Sequence, residues 1–266
     1  MRVKRIDTPY GRAYAYGKGP DAILMPSVTT ILSSEPSQYL EDLEAKIGKE
    51  QLQKISERAA FRGTAMHLFL ENYFICRQNG GDDDKCLLYT QKKTPGELRE
   101  NGIADDRIAW GRDLFYNFIH EGVFDKIKSV IFTEQFMWSL KYLFAGTADF
   151  GFVHTNEDEV IADFKSASGH RGEDVVRKYK KQGAAYCIAY EEINNKPIKN
   201  FQIWISSPEG MQIEILKGEE LEQMKCEFLA LCQKFHASWN IEPIREYYIE
   251  HYLKKTNCGS ESKNNT

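Results

Sequence analysis

Two carboxylates and an ammonium meet at one point if two stretches of this chain form a β-hairpin. They are Phe144-Ala-Gly-Thr-Ala-Asp149-Phe-Gly-Phe-Val153 and Val160-Ile-Ala-Asp163-Phe164-Lys165. Both are rich in the Phe, Val and Ile that strands favour, and the break from His154 to Glu159 is polar and turn-forming. Side chains two apart on a strand share a face, so Asp163 and Lys165 point one way and Phe164 the other. The hairpin returns Asp149 to within a residue or two of Asp163. A hard divalent cation such as Mg²⁺ takes oxygen ligands of this kind. The two carboxylates and the Phe164 carbonyl would hold it, with Lys165 facing the anion that the metal recruits. Taken alone, an Asp-x-Lys on a strand edge is an ordinary solvated ion pair; its company decides.

That company is spread along the chain. On a helix over Ala59–Cys76, His67 lies one turn after Gly63 and one turn before Glu71, so the three share a face. Gln182 and Tyr186 are likewise one turn apart on a helix over Gly172–Glu191. The run Arg177-Lys178-Tyr-Lys180-Lys181 sits just before them. Such a run is usually a solvated helix face, but here Arg177, Lys178 and Lys181 offer a phosphate-contacting surface that a chain of net charge −4 otherwise lacks. In Pro26-Ser27-Val-Thr-Thr-Ile-Leu32, Ser27 is a good N-cap for a short helix. The hydroxyls of Ser27, Thr29 and Thr30 near that helix start can also hold a phosphate. Arg62, before Gly63, and Ser166, after Lys165, complete the candidate nucleic-acid contacts.

The elements that must position these residues follow from periodicity and punctuation. Short strands occupy the first 25 residues, and a mainly helical region runs from 26 to 125. An α/β core follows over 126–253, with strands at 130–138, 144–153, 160–166, 201–205 and 211–215. These form a mixed central sheet flanked by helices, the last helix over 219–240. A polar helix spans 38–58 ahead of the 59–76 helix, and residues 77–104, with Gly80-Gly81 and Pro95-Gly96, read as a long loop. The 13 residues from 254 to 266 are polar and read as a disordered tail after a single domain. No apolar run is long enough to span a membrane. Six cysteines without a Cys-x-x-Cys pair fit reduced thiols in a cytosolic compartment.

The series Gly63-x-x-x-His67, Gly146-x-x-Asp149, Asp163-x-Lys165 and Gln182-x-x-x-Tyr186, in that order, resembles the RecB-like branch of the PD-(D/E)xK nuclease superfamily over roughly residues 26–205. Within that branch, Pro26 to Leu32 followed by Arg62-Gly63-Thr64-x-x-His67 looks like the phage exonucleases and the mitochondrial genome maintenance exonuclease. The resemblance implies a restriction-endonuclease-like core and Mg²⁺ or Mn²⁺ held by His67, Asp149 and Asp163. It implies Lys165 as the catalytic lysine, Gln182 and Tyr186 orienting the site and the strand, and Glu134 as a supporting acid. The implied activity is a DNA exonuclease acting on single strands or free ends in replication, recombination or repair, in the cytoplasm of a cell or of a phage host. Relatives that carry an iron–sulfur cluster need an early Cys and a late Cys-x-x-Cys, a spacing that Cys226 and Cys232 lack, so no cluster is expected. An endonuclease of the same fold and a non-catalytic nucleic-acid-binding module remain open; the full ligand set with its lysine argues against the second.

Overall fold

A computed structural model describes residues 3–36 and 38–253. Strands β1 (Val3–Thr8), β2 (Gly11–Tyr16) and β3 (Ile23–Pro26) form an antiparallel sheet in that order. Five helices follow: α1 (Val28–Ser33), α2 (Gln38–Ile47), α3 (Lys49–Gln78), α4 (Asp83–Glu100) and α5 (Asp105–His120). Then come β4 (Ile127–Ser139), β5 (Phe144–His154), β6 (Glu159–Ser166), α6 (Glu173–Asn194), β7 (Asn200–Ser207), β8 (Gly210–Lys217), α7 (Gly218–Ser238) and α8 (Glu242–Tyr248).

The larger sheet has the order β4-β5-β6-β7-β8. All its neighbours are antiparallel except β6 and β7, which are parallel because the chain crosses between them through α6. The chain is therefore α/β with a mixed sheet, as the strand and helix periods predict. Alternation along β6 and β7 sorts the core into two layers. Val160, Ala162, Phe164 and Trp204 join Phe150 and Phe152 against Phe69 and Phe74 of α3 and Phe115 and Phe118 of α5. Ile161, Phe201, Ile203 and Ile205 face the other way, against Ala184, Ala185 and Ile188 of α6 and Phe228 of α7. Each such buried aromatic or branched side chain contributes about 1.5–3 kcal/mol, so both helical layers are fixed to the sheet.

Two boundaries differ from the sequence reading. Residues 83–100 form α4 where a loop is expected. Asp82 caps it by accepting from the Lys85 N–H, and its buried face is Cys86, Thr90, Thr94 and Leu98. A stripe that is half threonine hides the helical period, and Pro95 and Gly96 imitate a turn. The second difference is the long helix: α3 runs unbroken through residues 58 and 59, and the break falls at Gly48, whose φ of 81° suits glycine. The 254–266 tail lies outside the described residues. Among those described, no helix is long and apolar enough to cross a membrane.

Candidate active site

The site forms where β6 stops pairing with β5. The ladder runs from Val153↔Glu159 to Phe150↔Ala162, and one step further it sets Asp149 opposite Asp163. There side chains replace the strand partner: Asp149 Oδ2 accepts from the Phe164 N–H at 2.7 Å, and His67 Nε2 donates to the Phe164 carbonyl at 3.0 Å. On the other side of β5, Thr133↔Phe150 and Gln135↔Ala148 bracket Glu134 and set it opposite Asp149. Glu134, Asp149 and Asp163 thus form one row across three neighbouring strands. Glu134 adopts a left-handed φ of 47°, a conformation that costs a non-glycine residue about 1–2 kcal/mol and suggests a local constraint on its side chain.

The donor atoms of His67, Glu134 and Asp149 all lie within 4.8 Å of one another. His67 Nδ1 is 3.8 Å from Glu134 Oε1 and 3.8 Å from Asp149 Oδ2. Because Nε2 donates to Phe164, the neutral imidazole keeps its lone pair on Nδ1, aimed at the carboxylates. One imidazole and two carboxylates suit Mg²⁺ or Mn²⁺, and the trio needs to close only slightly, since metal–ligand bonds of about 2.1 Å put opposite ligands about 4.2 Å apart. The chemistry of the donor set therefore fits the cation. Asp163 is turned away from this trio: only 1% exposed, it forms an ion pair with Lys165, and its Oδ1 is 3.5 Å from the Gln182 amide nitrogen. Gln182 also donates to the Tyr186 hydroxyl at 3.0 Å. Gly146 lets that tyrosine close onto β5, since a Cβ there would meet the ring at 2.9 Å. On the resemblance Asp163 is a ligand and Glu134 a support; in the structure Glu134 stands in the donor trio, and the Phe164 carbonyl is engaged by His67.

The charges are strongly coupled. Burial opposes the His67 imidazolium, but Asp149 and Glu134 outweigh it and hold the pKa up to about 9. Burial, countered by Lys165 and reinforced by Asp149, lifts Asp163 to about 6. Asp149 is also raised, chiefly by burial against the pull of His67 and Lys165. Burial works against the Lys165 ammonium, yet Asp163 and Asp149 push its pKa above the ordinary lysine value. Burial holds the Tyr186 hydroxyl well above the usual phenol range, so it stays protonated.

His67, Glu134, Asp149, Lys165, Gln182, Tyr186, Ser27 and Thr29 line one cavity of about 270 Å³. Its wall also includes Arg5, Arg12 and Tyr14 from the small sheet, residues without any sequence motif to mark them. Ser27 caps α1, accepting from the Thr30 N–H at 2.9 Å, and the Thr30 hydroxyl donates to the Arg12 carbonyl. The Thr30 hydroxyl thereby fastens α1 to β2. The basic run of α6 points elsewhere. Lys181, 8% exposed, donates to Glu35 at 2.6 Å; Arg177 pairs with Glu227; Lys178 reaches the Glu35 carbonyl. Lys181 and Arg177 are thus neutralised by the chain's own acids, in the case of Lys181 one 146 residues away in the sequence.

No family model matches the chain, and no curated protein matches it. Among solved structures, a protein of Eubacterium rectale named as a candidate exonuclease aligns with 15% identity over 65% of this chain and 68% of its own, with a TM-score of 0.41. The protein SSO0001 aligns with 15% identity over 56% of this chain and 71% of its own, with a TM-score of 0.34. Likeness at this level assigns no activity, and the chemistry is argued from the site itself.

Proposed function

We propose that the chain is a metal-dependent nuclease that hydrolyses phosphodiester bonds in DNA, acting as an exonuclease on single strands or free ends. The observation that carries this reading is the row of Glu134, Asp149 and Asp163 across three strands, with His67 over one end and Lys165 over the other. His67 Nδ1, Glu134 and Asp149 would hold Mg²⁺ or Mn²⁺, and Asp163 would join by loosening its hold on Lys165. Such a cation would supply Lewis acidity and lower the pKa of a bound water, so that hydroxide is available as the nucleophile. Lys165 keeps its proton at neutral pH because its pKa is raised, so it serves as a fixed positive charge and hydrogen-bond donor, not as a base. Gln182, its amide nitrogen between the Tyr186 hydroxyl and Asp163 Oδ1, would orient the carboxylate when Lys165 turns to a phosphate.

End-labelled and circular DNA, single- and double-stranded, incubated with Mg²⁺, Mn²⁺ or EDTA, tests the reading. Stepwise loss of label from linear strands, sparing circles and stopped by EDTA, is expected. Cutting of circles would make the protein an endonuclease, and absence of metal-dependent cutting with binding retained would make it a non-catalytic binding module.

A further inference from the structure

Beside the site, two arginines each keep a buried guanidinium nitrogen without a hydrogen-bond partner. Arg62 of α3 is 4% exposed and its Nε has no hydrogen-bond partner. Its guanidinium lies 4.9 Å over the ring of Trp110 of α5, and among the described residues it has no carboxylate partner. The Nε of Arg171, in the segment between β6 and α6, is buried and unpartnered as well. Burial presses the Arg62 pKa down, and the charge of Arg171 adds to it. Geometry brings their segments together: a Cβ on Gly63, the residue after Arg62, would lie 3.3 Å from the hydroxyl of Ser166, which precedes Arg171 at the start of the same connection, and Lys165 sits 5.1 Å over the ring of Tyr179.

An unpaired buried guanidinium is expensive, and a second cation beside it raises the cost. Elsewhere the chain neutralises its buried cations: Lys181 has Glu35, and Lys225 has Glu191 and Glu222. The exception adjoins Lys165. The guanidinium fork is the geometry that grips a phosphate by two parallel hydrogen bonds.

We infer that Arg62 and Arg171, with the Ser166 hydroxyl, form a phosphate-binding pocket that receives a backbone phosphate of the substrate strand next to the one being cut. This rests on the nuclease reading for its substrate, but the pocket itself has a separate readout. A phosphate drawn into it supplies the missing anion and fixes the strand so that the neighbouring phosphate meets Lys165. The pocket then positions substrate, and its loss falls on KM more than on kcat.

Two measurements test it. Thermal unfolding in inorganic phosphate against an equal ionic strength of chloride reads the pocket alone. Phosphate should raise the midpoint of the wild-type protein, and Arg171→Gln should abolish that rise. Arg62→Met removes the buried charge, so it should unfold at a higher temperature than wild type without phosphate and gain nothing from adding it. Cleavage of single-stranded DNA with Mn²⁺ reads the substrate. Arg171→Gln should raise KM by roughly 10–100-fold, the worth of a charge-assisted hydrogen bond, and flatten the salt slope by about one counterion. Arg171→Lys should restore part of both. No phosphate-specific stabilisation in the wild type, or an adventitious response that survives both variants, overturns the pocket. So does cleavage by Arg171→Gln with unchanged KM and salt slope. A wild-type protein that binds phosphate through these arginines but cuts no DNA overturns the nuclease reading and leaves the pocket standing.

Discussion

Metal binding should expel a proton from His67. Between Glu134 and Asp149 the protonated ring occupies part of the charge position that a cation would take, and its pKa is held at about 9. At pH 7 the neutral ring is then about 1% of the population, so coordination through Nδ1 costs about 2.7 kcal/mol, roughly a hundredfold in affinity. Between pH 6 and pH 8.5 the Mn²⁺ association constant should climb about tenfold per pH unit. Titration calorimetry at pH 7, in two buffers of different ionisation enthalpy, should find about one proton released per Mn²⁺ bound, and His67→Gln should lower that to near zero and flatten the pH slope. The same pKa has a consequence without metal. A histidine raised in the folded state stabilises it fully below pH 6.5, and the contribution is lost as the pH climbs through about 9. Asp163, raised to about 6, acts with the same sign lower down, because the unfolded carboxylate gives up its proton first. In EDTA the unfolding temperature should therefore fall from pH 5 to pH 9, and less so in Mn²⁺. Absence of proton release at pH 7, or a wild-type pH slope in His67→Gln, would show that Nδ1 is not a ligand and that His67 is only a counter-charge.

Lys165→Ala should lower kcat on single-stranded DNA by about 10²–10³ while Mn²⁺ binding persists, since the lysine touches Asp163 and lies outside the donor trio; single-turnover rates check this. Gly183→Ala should destabilise the fold by about 1–3 kcal/mol in urea, because the added Cβ would stand 1.8 Å from the buried Phe201 ring and push α6 off the sheet. Lys181→Glu should cost about 2–3 kcal/mol of stability by facing Glu35 and Glu227 with a third acid, and leave the salt slope of DNA binding unchanged, as equilibrium unfolding and fluorescence anisotropy would show.

Much of the sheet and of the central constellation was legible in the sequence because strand alternation is strict. Asp163 and Lys165 share a face with Ile161, and Phe164 joins Phe150 in the opposite core, as a period of two requires. The helical spacing of Gln182 and Tyr186 likewise placed both on one wall of the cavity. What escaped lacks a local signal. Arg5 and Arg12 reach the cavity from strands whose neighbours are ordinary strand residues. Lys181 looks free until α6 meets Glu35, a contact 146 residues apart in the chain. The α4 helix was hidden for a different reason: buried threonines pack as apolar side chains while reading as polar ones.

Phe164 ties the chemistry to parts of the molecule that never approach it. Its ring is wedged among Phe74, Phe118, Phe150 and Trp204, while its own N–H and carbonyl are the groups that Asp149 and His67 grip. The azimuth of the β6 backbone at this residue is thus set from behind, by how four aromatic plates stack. A small change in that stack, such as Phe118→Leu, acts as a torque: it turns the peptide planes under two donors of the trio before it unfolds anything. Drift in the hydrophobic layer would then surface first as a mistuned active centre, and a screen for lost turnover would recover positions deep in the core that touch no ligand.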